Sequence, residues 1–198
     1  MAHDLSLTGV LLAGGAARRF GANKLLATLP TGQTIGLFAA TKLAAVVDRV
    51  LVVVRAEDHI TAAAFENAGY AVMRCGEAKL GMGHSLGCGV AASRASAAWM
   101  VALADMPLIA PVTLAALVTC WRDEDRIVVP RCAGQAGHPV IFPARYRDEL
   151  LMLQGDRGAR PLLDAHGDDI FAFVTHDTGV LRDIDTPQDL ACASHPEL

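Results

Sequence analysis

The sequence predicts an α/β fold of three layers, a mostly parallel sheet with helices on both faces. Three observations carry that reading. Short and nearly continuous apolar runs recur along the chain, alanine-rich stretches of helical length separate them, and 53% of the residues are hydrophobic. Strands buried on both faces lose the in–out alternation of half-exposed strands, and strands alternating with helices imply a parallel sheet covered on both sides.

The elements follow in order. The first strand is TGVLLA (8–13), and a helix over 34–47 leads to the valine-rich strand RVLVVV (49–54). A helix over 57–68 precedes YAVMR (70–74), and a helix over 84–98 precedes WMVALA (99–104). Helix 111–122 then leads to RIVVP (126–130) and HPVIF (138–142). Helix 145–153, strand IFAFV (170–174) and helix 187–193 complete the set. After residue 123 the spacing becomes irregular, which predicts an antiparallel strand or a small inserted lobe there. No repeat, low-complexity segment or linker interrupts the chain, so residues 1–198 read as one domain with a core over about 8–190.

Composition narrows the function classes. A net charge of −4 argues against a general nucleic-acid binder, so any anionic ligand must be held by local positive charge. The five cysteines, at 75, 88, 120, 132 and 192, form no C-x-x-C pair and read as reduced, mostly buried thiols. MAHDLSLTG lacks the basic and apolar regions of a signal peptide. The longest uncharged run, Met106 to Trp121, is broken by Pro107 and Pro111 and is too short to span a bilayer. The expectation is a cytoplasmic protein with no membrane contact.

Ligands of open α/β sheets bind beyond the carboxyl ends of the strands. LLAGGAARRFGANK (11–24) lies there and puts Gly14 and Gly15 directly after the first strand, with Arg19 and Lys24 beyond. Glycine lets a ligand approach the backbone, and arginine and lysine suit phosphate oxygens. The spacing is wrong for G-x-x-x-x-G-K-[ST], and G-x-G-x-x-G is absent. A glycine turn with surface arginines accounts for the same residues.

Asp105 ends the fourth strand in ALADMPLIAP, where it serves either as a turn former or, beside a triphosphate, as a Mg²⁺ ligand. LRDIDTPQDL (181–190) adds Asp183 and Asp185 on one face of an extended segment. There Asp185 or Thr186 equally reads as a cap for a helix with Pro187 in its first turn, and Asp189 as a capping residue. In GMGHSLGCGV (81–90), Ser85 reads as a helix cap whose free amides face an anion, and His84 as solvent-facing. His138, taken alone, reads as a satisfied hydrogen-bonding residue before it reads as a catalyst. The absence of paired histidines at helical spacing and of a cysteine cluster makes a zinc site unexpected.

The opening stretch resembles the L-A-x-G-x-S-x-R-x-G-x-x-K signature of nucleotidyltransferases that act on molybdopterin, and more widely of glycosyltransferase-A-like nucleotidyltransferases. Leu12, Ala13, Gly15, Arg19, Gly21 and Lys24 match, while Ala17 replaces the usual serine. ADMP resembles the family's metal motif and IDTPQDL its closing motif. GHPVIF (137–142) and GDRGAR (155–160) resemble acceptor-side motifs of molybdenum cofactor cytidylyltransferases.

The resemblance spans about residues 8–190. It implies a Rossmann-like fold of the nucleotide-diphospho-sugar transferase type. It also implies CMP transfer from CTP to the terminal phosphate of molybdenum-loaded molybdopterin, with Mg²⁺ as cofactor. Leu12, Ala13, Gly14, Gly15, Arg19, Lys24, Ser85 and Asp105 would bind the nucleotide, and Arg19, Lys24 and Asp105 would act in catalysis. Asp105 with Asp185, and next Asp183, would hold the metal; His138, Asp156 and Arg160 would bind the acceptor. A molybdoenzyme or its chaperone would receive the product. Gly14 keeps a guanylyl transferase open, since a double glycine there is also common in that branch. Transfer to a sugar phosphate and a non-catalytic nucleotide-binding delivery protein remain alternatives.

Overall fold

The computed structural model describes residues 6–15 and 23–192. Among these, eight strands form one sheet. They are β1 (Leu7–Leu12), β2 (Arg49–Arg55), β3 (Ala71–Cys75), β4 (Ala98–Leu103), β5 (Ile127–Cys132), β6 (Gln135–Ala136), β7 (Val140–Pro143) and β8 (Ile170–Thr175). The order is β3-β2-β1-β4-β7-β5-β6, with β8 pairing β5. β1, β2, β3 and β4 are mutually parallel, and β8 is parallel to β5. β7 runs antiparallel to both β4 and β5, and β6 antiparallel to β5. This is the antiparallel strand that the irregular spacing after residue 123 predicts.

Seven helices cover the sheet: α1 (Ile35–Ala44), α2 (His59–Asn67), α3 (Met82–Ala92), α4 (Pro111–Glu124), α5 (Arg147–Leu151), α6 (Arg160–Ala165) and α7 (Pro187–Cys192), counted among the described residues. Successive strand side chains alternate faces, and the core divides accordingly. Met100, Val128 and Ile141 belong to one cluster, which includes Leu43 and Phe65 of α1 and α2 and Leu117 of α4. Their neighbours Trp99, Val101, Val129, Val140 and Phe142 belong to the other, with Leu86 of α3, Leu150 of α5 and Leu162 of α6. Each large side chain buried in this way contributes about 1.5–3 kcal/mol.

Three expectations are corrected here. The helix expected over 84–98 begins at Met82 and stops at Ala92. It stops because Ser93 and Ser96 turn the chain by hydrogen bonding: Ser93 Oγ donates to the Gly89 carbonyl, Ser96 Oγ to the Ser93 carbonyl, and Trp99 Nε1 to Ser93 Oγ. Ser85 therefore lies inside α3 and is not its cap; Gly81 occupies that position, at φ 128°. The cysteines are not all reduced. Cys75, ending β3, and Cys88, in α3, form a disulfide across a Cα–Cα distance of 6.1 Å. That distance lies within the range a disulfide bridges, and packing of α3 on β3 creates it without a local sequence signal. Cys120 and Cys132 are free thiols.

Candidate active site

β1 delivers the first part of the site. The Ala13 N–H donates to the Val53 carbonyl, and the Leu12 carbonyl accepts from Ala104 N–H, so the strand is held to both neighbours up to its last residue. Beyond it, Arg55 Nε donates to the Gly14 carbonyl at 2.6 Å. A side chain at Gly14 would begin 3.4 Å from Ser85 Oγ, so glycine keeps this wall thin. Leu12, Gly14, Gly15, Arg55, Lys79, Ser85 and Asp105 line a cavity of about 420 Å³. Ala13 is not among its lining residues; its side chain is buried in the core. Arg19 and Gly21 lie outside the described residues.

Lys24 opens a short 3₁₀ turn, Lys24–Leu26. Asn23 ties that turn to α2 by donating from Nδ2 to Thr61 Oγ1, and Thr61 is held in turn by Asp58, the cap of α2. The Lys24 side chain is only 8% exposed, and its Nζ donates to Asp105 Oδ2 at 2.7 Å and to Asp185 Oδ1 at 2.5 Å. Burial alone would lower the pKa of this ammonium. The hydrogen bonds and charges of Asp105 and Asp185 outweigh burial and push it above the ordinary lysine value.

Asp105 follows β4 in a turn fixed from two sides. Lys42 of α1 donates from Nζ to the carbonyls of Pro107 and Ile109, at 2.8 and 2.9 Å. Asp177 accepts from Ala110 N–H. The Asp105 carbonyl accepts from Ile184 N–H at 2.9 Å, which pins the segment from 183 to 185 to the end of β4. Ile184 is buried, and the residues on either side of it, Asp183 and Asp185, reach toward Asp105. One carboxylate oxygen from each of Asp105, Asp183 and Asp185 lies within 4.8 Å of the others. Thr186 takes the cap of α7: its hydroxyl accepts from Asp189 N–H, and Asp189 Oδ2 accepts from Thr186 N–H. Asp189 is thus the capping residue the sequence suggests.

The second cavity, about 250 Å³, shares Leu12, Met82 and Asp156 with the first. His138, Asp156, Arg157 and Arg160 supply its polar lining. The two arginines share Asp164, with contacts of 2.9 Å from Arg157 and 3.6 Å from Arg160. His138 Nδ1 is buried and has no hydrogen-bond partner among the described residues. Burial pushes the pKa of His138 down, against the opposing pull of the Asp105 charge and of a hydrogen bond to the Val101 carbonyl. The imidazole is therefore neutral at neutral pH.

The wall between the two cavities is the loop at 154–156 docked on the start of α3. Gly83 N–H donates to the Gly155 carbonyl, and Gly155 N–H donates to His84 Nδ1. A Cβ at Gly81 would stand 2.2 Å from the Gly155 carbonyl carbon, so the close approach needs glycine there. His84 is thus a half-buried acceptor in this joint and not the solvent-facing residue expected from sequence.

Residues 9–170 match the MobA-like NTP transferase domain family. The chain belongs to that family. It is 35% identical over 196 residues to the purine catabolism protein PucB of Bacillus subtilis (strain 168), an alignment covering 92% of this chain and 93% of PucB. Rv0371c from Mycobacterium tuberculosis H37Rv superposes with a TM-score of 0.82 at 24% identity, over 96% of this chain and 97% of that one. Its manganese complex superposes with a TM-score of 0.76 at 25% identity, over 95% and 97%.

The MobA-like site has the chemistry for a hard divalent cation. Its acidic trio offers oxygen donors alone, with no imidazole or thiolate in the cluster, which suits magnesium or manganese. The structure brings together Lys24, Asp105, Asp183 and Asp185 in one cluster, and His138, Asp156 and Arg160 around one cavity. Sequence reasoning missed Arg55, Lys79 and Lys42. Arg55 had a usable signal, since it ends β2 and the rule about carboxyl strand ends applies to that strand as well. Lys42 had none, because its partners are backbone carbonyls more than 60 positions away.

Proposed function

We propose that this MobA-like protein transfers CMP from CTP to the terminal phosphate of molybdenum-loaded molybdopterin and releases pyrophosphate. The observation that carries the reading is the meeting of Lys24 with Asp105 and Asp185, at the edge of a cavity that adjoins a second, arginine-rimmed one. Two cavities in contact suit two substrates that must react with each other. GHPVIF and GDRGAR line the second cavity through His138, Asp156 and Arg160, which supports the pterin phosphate as acceptor.

In this reaction an oxygen of the acceptor phosphate forms a bond to the α-phosphorus of CTP, and the bond from that phosphorus to the β-phosphate bridging oxygen breaks. The acceptor monoester has a second pKa of about 6 and is mostly dianionic at neutral pH, so no general base is needed. Mg²⁺ held by Asp105 and Asp185, with Asp183 beside them, would polarise phosphate oxygens when bound. Arg19 and Lys24 would offset the repulsion between the two anions and the charge developing on pyrophosphate. Ser85 and the backbone at Leu12–Gly15 would hold the nucleoside. Arg160 and Asp156 would orient the acceptor, and His138 would meet its pterin or phosphate.

The test incubates the protein with reduced, molybdenum-loaded cofactor and α-labelled CTP or GTP, and resolves the products. Label should pass from CTP to the cofactor, with stoichiometric pyrophosphate. Transfer from GTP alone would assign the guanylyl reaction, and triphosphate binding without transfer to any acceptor would assign a delivery protein.

A further inference from the structure

We infer that Lys24 is a charge lock on the metal site: it keeps the nucleotide-free pocket from taking up a divalent cation by itself, so that the cation enters with the triphosphate. The inference rests on the proposed nucleotide-transfer reading and adds an order of events to it. Its basis is the position of the ammonium. Lys24 Nζ does not extend into the cavity as a waiting phosphate ligand; it is inserted between Asp105 Oδ2 and Asp185 Oδ1. Those carboxylates are two of the three that form the acidic trio.

A fixed positive charge at this place has two consequences. It neutralises carboxylates that would otherwise repel one another in a partly buried site. It also opposes any divalent cation seeking the same oxygens, since like charges at such short range repel each other. A triphosphate changes the balance. Its several negative charges offer the ammonium better partners than two carboxylates can, and an ammonium turned toward them no longer competes for Asp105 and Asp185 with a cation arriving on the phosphates. The short 3₁₀ turn at Lys24–Leu26 holds the backbone, tied through Asn23 to Thr61. Only the side chain has to swing.

The experiment measures Mn²⁺ binding to nucleotide-free protein by titration calorimetry and by the loss of the free-ion electron paramagnetic resonance signal. Wild type, Lys24→Gln, Lys24→Met and Lys24→Arg are compared. Removing the charge should tighten Mn²⁺ binding by about tenfold or more at low salt, whereas Lys24→Arg stays near wild type. Adding Asp105→Asn to Lys24→Gln should abolish the gain. Equal or weaker binding by both neutral variants overturns the inference, as does a gain that survives Asp105→Asn. A second measurement uses intact protein with ¹⁵N-labelled lysine. The Lys24 ammonium resonance should persist on adding Mg²⁺ alone and shift on adding Mg²⁺ with CTP; displacement by Mg²⁺ alone also overturns it. None of these readouts depends on turnover, so failure of the transfer assay and failure of the lock are separate results.

Discussion

Lys24 and Asp105 are separated by 81 positions in the chain and by 2.7 Å in space. One begins a 3₁₀ turn after the glycine-rich stretch, and the other lies in the turn just beyond the fourth strand. The sheet order makes this possible, because β1 and β4 are parallel neighbours whose carboxyl ends coincide. Asp105→Asn keeps the shape and removes the charge. We expect turnover to fall by about 10²–10³ at saturating CTP, the scale for loss of one preorganised electrostatic contact, and Lys24→Ala to fall comparably. Pyrophosphate release by folded protein is the measurement, and near-normal turnover in either variant would remove that residue from the mechanism.

Lys42 acts on Asp105 at one remove. Its half-buried ammonium serves the Pro107 and Ile109 carbonyls and sits over the Phe38 ring, 4.7 Å from its centroid. Lys42→Met fills the same volume and leaves both carbonyls without this donor, which predicts a stability loss of about 1–3 kcal/mol. The denaturant midpoint should fall with an unchanged slope. The turn that carries Asp105 would loosen as well, so kcat should drop more than the KM for CTP changes.

Much of this arrangement was readable in the residues. The apolar runs located seven of the eight strands because strands buried on both faces carry a strong local signal. β6 escaped because it is two exposed residues, Gln135 and Ala136. α6 escaped because Arg160–Ala165 reads as part of a motif and is stabilised by Leu162 reaching the core, a tertiary effect. The acidic trio could be named in advance because Asp105, Asp183 and Asp185 all sit in quotable phrases. The insertion of Lys24 among them could not. Whether a lysine faces a phosphate or a carboxylate depends on where a strand far along the chain ends. The same limit hid the Cys75–Cys88 bond and the role of His84 under the 154–156 loop.

Asp169 supplies an acid-stability prediction at the opposite end of the sheet, just before β8. The hydroxyl of Tyr146 donates to it at 2.5 Å. That bond, against the opposing effect of burial and helped by Arg145 and Arg126, holds the Asp169 carboxyl below the usual aspartate range. A carboxyl with a depressed folded pKa stabilises the protein fully above its unfolded value of about 3.9, and that stability is lost as pH falls through the folded value. Tyr146→Phe should therefore cost about 1 kcal/mol near pH 7 and progressively less below pH ~4, as judged by chemical unfolding at each pH. Activity should be unchanged, because the pair lies away from both cavities.

His138 provides the sharpest test of the second cavity. A neutral imidazole has one donor and one acceptor nitrogen. The buried Nδ1 of His138 has no hydrogen-bond partner among the described residues, and the residue lines the second cavity. An acceptor molecule in that cavity meets the imidazole of His138, and CTP in the neighbouring cavity does not if the two cavities are used as proposed. His138→Phe should then raise the KM for the acceptor by about tenfold, equivalent to 1.4 kcal/mol, while the KM for CTP stays within about twofold. Steady-state kinetics with each substrate varied in turn separates the two. An equal rise in both constants would mean that His138 supports the fold around the site without meeting the acceptor, and a rise for CTP alone would place the nucleotide in the cavity assigned here to the pterin.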